Sequence, residues 1–285
     1  YYLCAAGVVF LTLVAANSIL RKKNKPTPEL LNMLDLVALG TVADVAPLIG
    51  FNRALVRQGL KIMAKRQRIG LTALTDVAKM NNAPTPYHLG YLLGPRINAG
   101  GRVGKADLGI RLLTCKDYNE ANSIAEKLNQ LNDERRNIES MVQFQALEQV
   151  EKRGTNNTLV WAAGEGWHPG VVGIVASRIK EITNRPTVII GLDEDVGKGS
   201  GRSVSGIDLG SSIASLQREN LIIKGGGHKM AAGLSLERKN LDTAMSRLNE
   251  LLTKQDSEKI QSKELPLDGA LSISAITIDL LEQLV

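Results

Sequence analysis

The sequence predicts an α/β protein, and three observations carry that expectation. Residues 158–192 read strand, helix, strand, the pattern of a right-handed βαβ unit. Residues 36–39 are a short apolar run of the kind buried in a parallel sheet. Between them, residues 117–153 repeat apolar side chains at three- and four-residue steps, giving a helix of roughly 55 Å, too long for the interior of one domain. The 285 residues, 44% hydrophobic and 22% charged, suit a soluble globular chain with room for two cores. Lys and Arg outnumber Asp and Glu by 35 to 29. The resulting charge of +6, with a pI near 9.3, favours an anionic partner such as nucleic acid over a cationic one. Cys4 and Cys115 are too few and too far apart for a disulfide framework or a zinc site, so a reducing, cytoplasmic setting is expected.

Taken from the amino terminus, residues 1–16 are almost continuously apolar, and the basic Arg21, Lys22 and Lys23 follow. The run is shorter than the roughly 20 residues of a membrane span, has no basic residue ahead of it, and meets Asn17 and Ser18 where it should continue. A helix over residues 7–21, buried against a sheet, is expected instead. The chain opens on Tyr1 and closes on Gln283, Leu284 and Val285 within an apolar pattern, which reads as part of a longer protein at both ends. Pro26 and Pro28 break the first helix, residues 29–34 resume a helical turn, and the strand at 36–39 leads into Gly40-Thr41-Val42-Ala43-Asp44-Val45-Ala46-Pro47-Leu48. Ligands of α/β sheets collect beyond the carboxyl ends of the strands, where Asp44 would then lie. No basic residue stands within eight positions of Asp44, so its charge needs backbone donors or a metal ion. A turn-capping role and a metal-ligand role both fit. For the second, a hard oxygen donor favours Mg2+ or Mn2+.

Residues 52–66 form an amphipathic helix on which Arg53, Arg57, Lys61 and Lys65 align at four-residue spacing, as a solvated face or as a nucleic-acid contact. In Gly94-Pro95-Arg96-Ile97-Asn98-Ala99-Gly100-Gly101-Arg102-Val103-Gly104, a glycine-rich loop would carry Arg96, Asn98 and Arg102. Guanidinium forks and a bare backbone suit phosphate there, and pairing of the arginines with nearby carboxylates is the other reading. His88, in Tyr87-His88-Leu89, fits a satisfied helical histidine better than a ligand. Asp117-Tyr118-Asn119-Glu120 is a candidate capping box opening the long helix, and Gly154 closes it. That helix is expected to connect two domains.

Beyond it, strands over residues 158–163 and 187–192 flank a helix over 170–183. The crossover loop Gly164-Glu165-Gly166-Trp167-His168-Pro169-Gly170 puts Trp167 and His168 at a helix amino terminus, a natural anion site. The Trp167 ring suits stacking on a base or anchoring at the surface. Gly197-Lys198-Gly199-Ser200-Gly201-Arg202-Ser203 reads as a glycine-rich loop offering a hydroxyl and a guanidinium. It lacks the Gly-Lys-Ser/Thr ending of an ATP-binding loop, which argues against a nucleoside triphosphatase. In Lys224-Gly225-Gly226-Gly227-His228-Lys229-Met230-Ala231-Ala232-Gly233, three glycines bare their N–H groups to a small anion, with His228 and Lys229 at the rim and a strand over 230–236 behind. A glycine hairpin with a structural histidine is the alternative. A helix over 239–254 closes this unit, and something new begins at 266–270.

In this order and around a long helix, these motifs resemble the RecJ family of single-strand-specific 5′ to 3′ DNA exonucleases, within the DHH phosphoesterase superfamily. The motifs are Gly40-Thr41-Val42-Ala43-Asp44-Val45, Pro95-Arg96-Ile97-Asn98-Ala99 with Gly101-Arg102, Gly166-Trp167-His168-Pro169-Gly170-Val171-Val172-Gly173, Ser200-Gly201-Arg202-Ser203 and Gly225-Gly226-Gly227-His228. The resemblance covers essentially the whole chain. It implies an α/β/α catalytic domain with a two-metal Mn2+ or Mg2+ centre, of which residues 1–116 are the carboxyl-terminal part and Asp44 the last metal-binding aspartate. It implies further that 117–153 is a connector helix, that 154–258 is the DHH-associated domain, and that 263–285 begins an oligonucleotide-binding barrel. The expected DNA and phosphate contacts are Arg96, Asn98, Arg102, Trp167, His168, Ser200, Arg202, Gly226, Gly227 and His228. The family's earlier metal motifs, Asp-His-His among them, would lie ahead of Tyr1, and one aspartate cannot hold two metals, so these residues alone should not hydrolyse a substrate. Also implied are single-stranded DNA as substrate, a single-strand-binding protein and a helicase as partners, a monomer, no membrane, and the cytoplasm. Two alternatives stay open: a sister phosphodiesterase of short oligonucleotides or cyclic dinucleotides, and a non-catalytic nucleic-acid-binding scaffold.

Overall fold

The computed structural model describes residues 3–154, 157–256 and 267–284. Up to residue 116 every regular element among the described residues is helical. α1 (Ala5–Lys22) starts on Cys4, whose Sγ accepts from the Gly7 N–H, and ends on Arg21 and Lys22, cations at the negative end of the helix dipole. It is not buried against a sheet, as its apolar sequence predicts. Only Gly7, Phe10 and Asn17 are buried, and the helix leans on a 3-10 turn (Leu30–Met33) and on α2 (Leu34–Ala43). By length and composition α1 would suffice to cross a membrane. α2 takes up the residues expected as a strand. Leu34, Val37, Ala38 and Thr41 are buried at helical spacing, and a four-residue apolar run has no period with which to exclude a buried helix.

α3 (Gly50–Met63) runs back along α2, so close that a Cβ on Gly59 would lie 2.2 Å from the Leu34 carbonyl oxygen. α4 (Ile69–Val77), a π-helical turn (His88–Leu93), α5 (Gly94–Val103) and α6 (Leu108–Thr114) complete this lobe. In the π turn His88 Nδ1 accepts from the Thr85 N–H at 3.0 Å, the satisfied histidine its context predicts. The loop expected at 94–104 is helical instead. Its glycines admit neighbours: a Cβ on Gly100 would lie 3.1 Å from Leu128 Cδ2, and one on Gly104 2.6 Å from Leu131 Cδ1.

Leu128 and Leu131 belong to α7 (Tyr118–Arg153), one unbroken helix of 36 residues. Asp117 Oδ1 accepts from the Glu120 N–H at 2.8 Å to open it, and Gly154, at φ 76°, closes it. Two cores share the helix. Ala121, Ile124, Ala125 and Leu128 pack with Leu39, Val56, Leu74 and Leu93 of the helical lobe. Val142, Ala146 and Val150 pack with Val160, Val171, Val175 and Ile189 of the second lobe.

The second lobe runs β1 (Val160–Glu165), α8 (Pro169–Thr183), β2 (Thr187–Asp193), β3 (Val196–Arg202), α9 (Leu209–Arg218), β4 (Lys224–His228), β5 (Ala231–Glu237) and α10 (Leu241–Asp256). The sheet order is β1-β2-β3-β5-β4, with β1 and β2 parallel across α8 and the other pairs antiparallel. α9 and α10 cover one face over Val188, Ile190, Leu234 and Leu236, and α7 and α8 lie against the other. Gln149 of α7 seals the β1 edge, donating to the Ala163 carbonyl at 2.7 Å and accepting from its N–H at 3.2 Å. The stretches expected as loops at 197–203 and 224–228 are largely strands β3 and β4. On β3 the alternate glycines face the core, where Ile190, Leu234 and Leu209 leave no room for a Cβ at Gly199 and Gly201. Residues 267–284 hold a 3-10 turn (Ile273–Ala275) and α11 (Ile278–Leu284), without a strand among the described residues, and 263–266 of the expected barrel start lie outside them.

Candidate nucleic-acid interface

Two arginines meet where the lobes touch, and neither has a carboxylate partner among the described residues. The amino terminus of α8 reaches both. His168 caps it, its Nδ1 accepting from the Gly170 N–H at 3.0 Å, and Pro169 fits the first turn, where its missing donor costs nothing. Arg102 Nη1, from the helical lobe, donates to the Gly170 carbonyl at 3.1 Å. Only glycine fits at 170, because a Cβ there would lie 2.2 Å from the Arg102 carbonyl oxygen. One turn along, a Cβ on Gly173 would lie 3.0 Å from Ser200 Oγ and 3.1 Å from Arg202 Nη2. Arg202 Nη1 donates to Ser200 Oγ at 2.9 Å and to the Gly201 carbonyl at 2.8 Å. Burial, and then the charge of Arg102, pulls the Arg202 pKa below the usual guanidinium value. Two like charges held close with no acid between them are relieved by an anion.

Strand register carries the site across the sheet. Arg202 stands opposite Ala231, which stands opposite His228, and Ser200 is aligned in the same way with Gly233 and Gly226. Residues two apart on a strand share a face, so Ser200, Arg202 and His228 project to one side over a floor of Ala231, Gly226 and Gly233. Two strand spacings put Arg202 and His228 about 10 Å apart. Lys198 and Lys224 lie on that face and are exposed. A Cβ on Gly226 would meet nothing within 4 Å, so the trough is open above it. Gly227, at φ 156°, is required instead by the hairpin, since a Cβ would strike the Ala231 carbonyl oxygen at 2.3 Å.

The other expected residues fall elsewhere. Arg96 braces α5 against α7, with Nε on Asn129 Oδ1 at 2.9 Å and Nη1 on the Leu92 carbonyl at 2.8 Å. Asn98 is exposed and borders a mainly apolar cavity of about 630 Å³ that Gly40, Ala43 and Gly94 also line. Trp167 is 4% exposed and donates from Nε1 to Gln145 Oε1 at 2.7 Å, so its ring is wedged between α7 and the sheet and presents no face to a base. Asp44 is exposed at the carboxyl cap of α2, not beyond a strand. The chain leaves α2 through a left-handed cap, with Ala46 N–H on the Thr41 carbonyl at 3.1 Å, Val45 N–H on that of Val42 at 3.0 Å, and Val45 at φ 56°. The negative end of a helix does not favour a carboxylate, and no side-chain cation among the described residues pairs with Asp44. It can lend one oxygen to a divalent ion. Among the described residues no three His, Cys, Asp or Glu side chains gather as a metal centre, so these residues do not complete one.

Sequence motifs give no hint of a further charged cluster. Glu139 of α7, buried between the lobes, pairs with Arg135 at 2.5 Å and with Arg178 of α8 at 2.5 Å. Burial lowers the Arg135 pKa against the pull of Glu139, and the charges of Arg102, Arg136 and Arg178 lower it further. The only sequence signal is an Arg and a Glu four apart on the connector, a pattern that exposed helices share.

A small mixed sheet with a glycine floor and unpaired arginines, tied by a long helix to a second lobe, has the architecture of a DHH-associated domain. Residues 156–254 match the DHHA1 domain family model. Over 99% of its length the chain is 38% identical to the single-stranded-DNA-specific exonuclease RecJ of Escherichia coli (strain K12), covering 52% of that protein. Over 81% of its length it is 38% identical to RecJ of Thermus thermophilus, covering 32% of it. Among solved structures it is similar to RecJ from Thermus thermophilus in complex with Mn2+, with a TM-score of 0.76 and 34% identity over 87% of this chain and 36% of that one. It is also similar to exonuclease RecJ bound to manganese, with a TM-score of 0.73 and 32% identity over 89% and 62%. Nearly the whole chain is thus similar to a segment of RecJ proteins, and its second lobe carries the DHHA1 match. The chain spans about half the length, 52%, of the Escherichia coli relative.

Proposed function

We propose that the protein is a metal-dependent 5′ to 3′ exonuclease of single-stranded DNA, active in repair and recombination, and that this chain provides the grip on the strand and its 5′ phosphate. The meeting of Arg102 and Arg202, neither paired with a carboxylate among the described residues, beside the α8 amino terminus carries the reading. A terminal phosphate is a dianion, and a guanidinium fork and a hydroxyl are its natural donors, with the positive end of the α8 dipole beside them. Arg202 and Ser200 hold it, Arg102 adds charge from the other lobe, and His228 stands at the rim over the Gly226 floor. Asp44 contributes one oxygen to the Mn2+ or Mg2+ that relatives are crystallised with, and the remaining ligands come from outside these residues. These residues by themselves therefore bind strands without cutting them. A single-strand-binding protein and a helicase are the partners such a monomeric cytoplasmic enzyme works with. A phosphodiesterase of cyclic dinucleotides has less use for a 36-residue helix between the lobes.

The test is a fluorescence titration of wild type and Arg202→Ala with single strands ending in a 5′ phosphate or a 5′ hydroxyl, at fixed salt. Arg202→Ala should weaken the phosphorylated strand by about 1–3 kcal/mol and barely affect the other. Equal losses for both ends would reduce Arg202 to part of a general basic groove.

A further inference from the structure

The outer face of α3 carries charge that the end-binding pocket does not use. Arg53, Arg57 and Lys61 follow at one-turn intervals on α3 and Lys65 continues the row in the turn that ends it; all four are exposed, and none makes an ion pair among the described residues. The helix contains neither Asp nor Glu. The next two arginines show what the fold does with a cation it means to neutralise. Arg66 pairs with Asp76 at 2.5 Å, and Arg68 pairs with the buried Asp35 at 2.7 Å. Like charges one turn apart destabilise a helix unless an anion lies over them. The opposite face of α3 is already occupied, with Leu55, Val56, Gly59 and Met63 buried in the lobe.

The row also has a direction. Asn52 Nδ2 donates to the Pro47 carbonyl at 3.0 Å, which ties the start of α3 to the turn after Asp44, while Gly59 packs on Leu34 and Ala38 at the far end of α2. The four charges thus begin beside the Asp44 end and lead away from it for about 18 Å. We infer that α3 is a second contact for single-stranded nucleic acid, a track that takes the sugar-phosphate backbone one phosphate per cation without reading bases. This rests on the strand-binding reading above. Flexible cations about 6 Å apart match successive phosphates of an extended strand, and such contacts set affinity and salt dependence but not sequence preference. An anionic lipid surface is the poorer fit, because the apolar stripe of α3 faces the core and not outward.

The experiment compares the wild-type chain with Arg53→Gln/Arg57→Gln/Lys61→Gln/Lys65→Gln and with the charge-keeping Arg53→Lys/Arg57→Lys/Lys61→Arg/Lys65→Arg. Each is titrated with a fluorescent oligothymidylate ending in a 5′ hydroxyl over a series of salt concentrations. The glutamine variant should lose about 3 from the slope of log K against log salt, at roughly 0.7 per phosphate, while its preference for a 5′ phosphate over a 5′ hydroxyl stays intact. The charge-keeping variant should hold the wild-type slope. An unchanged slope in the glutamine variant would overturn the track and leave the end-binding reading standing, whereas a wild type that binds no strand at all would overturn both. Equal loss in the charge-keeping variant, or capture of anionic vesicles abolished by the glutamines with strand affinity unaltered, would also refute it.

Discussion

Val45 occupies the left-handed region at φ 56°, in the cap position where helices favour glycine, and its β-branched side chain is 87% exposed. Burial therefore contributes little to hold it there. The strain falls next to Asp44, whose carboxylate pairs with no cation among the described residues and sits at the wrong end of a helix dipole. On the metal-ligand role proposed for Asp44, that strain is kept for the sake of the ligand position. Val45→Gly removes the steric cost of about 1–2 kcal/mol and adds back some chain entropy. The expected outcome is a net gain of roughly 0.5–1 kcal/mol, read as a higher denaturation midpoint, and a lower midpoint would mean that the Val45 side chain has a packing role.

At the scale of elements, the meeting of α5 and α8 joins the lobes a second time, beside the shared helix. Gly170 sets how close they come, since its missing Cβ is the space that the Arg102 carbonyl fills. Gly170→Ala should therefore push α8 off α5 and break the 3.1 Å bond from Arg102, at a cost on the order of 1–3 kcal/mol. Affinity for a 5′ phosphate should fall with it, because Arg102 and Arg202 would no longer be held together. The check is to measure both properties in one variant. Loss of stability with full discrimination between 5′ ends would show that the pocket lies wholly within the sheet lobe.

For the molecule as a whole, α7 is the member both cores share: Ala121, Ile124, Ala125 and Leu128 pack in the first, and Ile138, Val142, Ala146 and Val150 in the second. Glu134 lies between them and is exposed, so a change there acts on the helix and not on packing. Glu134→Pro should break α7 locally at about 3 kcal/mol or more and separate the thermal transition into two, one for each lobe. A single transition at an unchanged temperature would mean that the lobes melt as one unit through the α5–α8 contact alone.

Residue types and spacing by themselves determined the long helix, because a 3.6-residue period over ten turns has no strand or loop equivalent. They also determined the βαβ unit at 160–193, where punctuation and periods agree. Residues 36–39 and the three glycine-rich stretches were decided only in the tertiary structure. A short apolar run is buried equally well as helix or strand, and a glycine signals equally a free loop, a tight turn or a neighbour too close for a Cβ. In α5 and β3 the neighbour is the reason. Trp167 shows the same limit, since a ring named for stacking is buried because Gly164 and Gly191 make room for it. Sequence could single out Ser200, Arg202 and His228 as candidate phosphate contacts, but their shared face comes from antiparallel register across three strands, and the approach of Arg102 from packing between lobes. Those are relations between residues far apart in the chain, which local pattern does not encode.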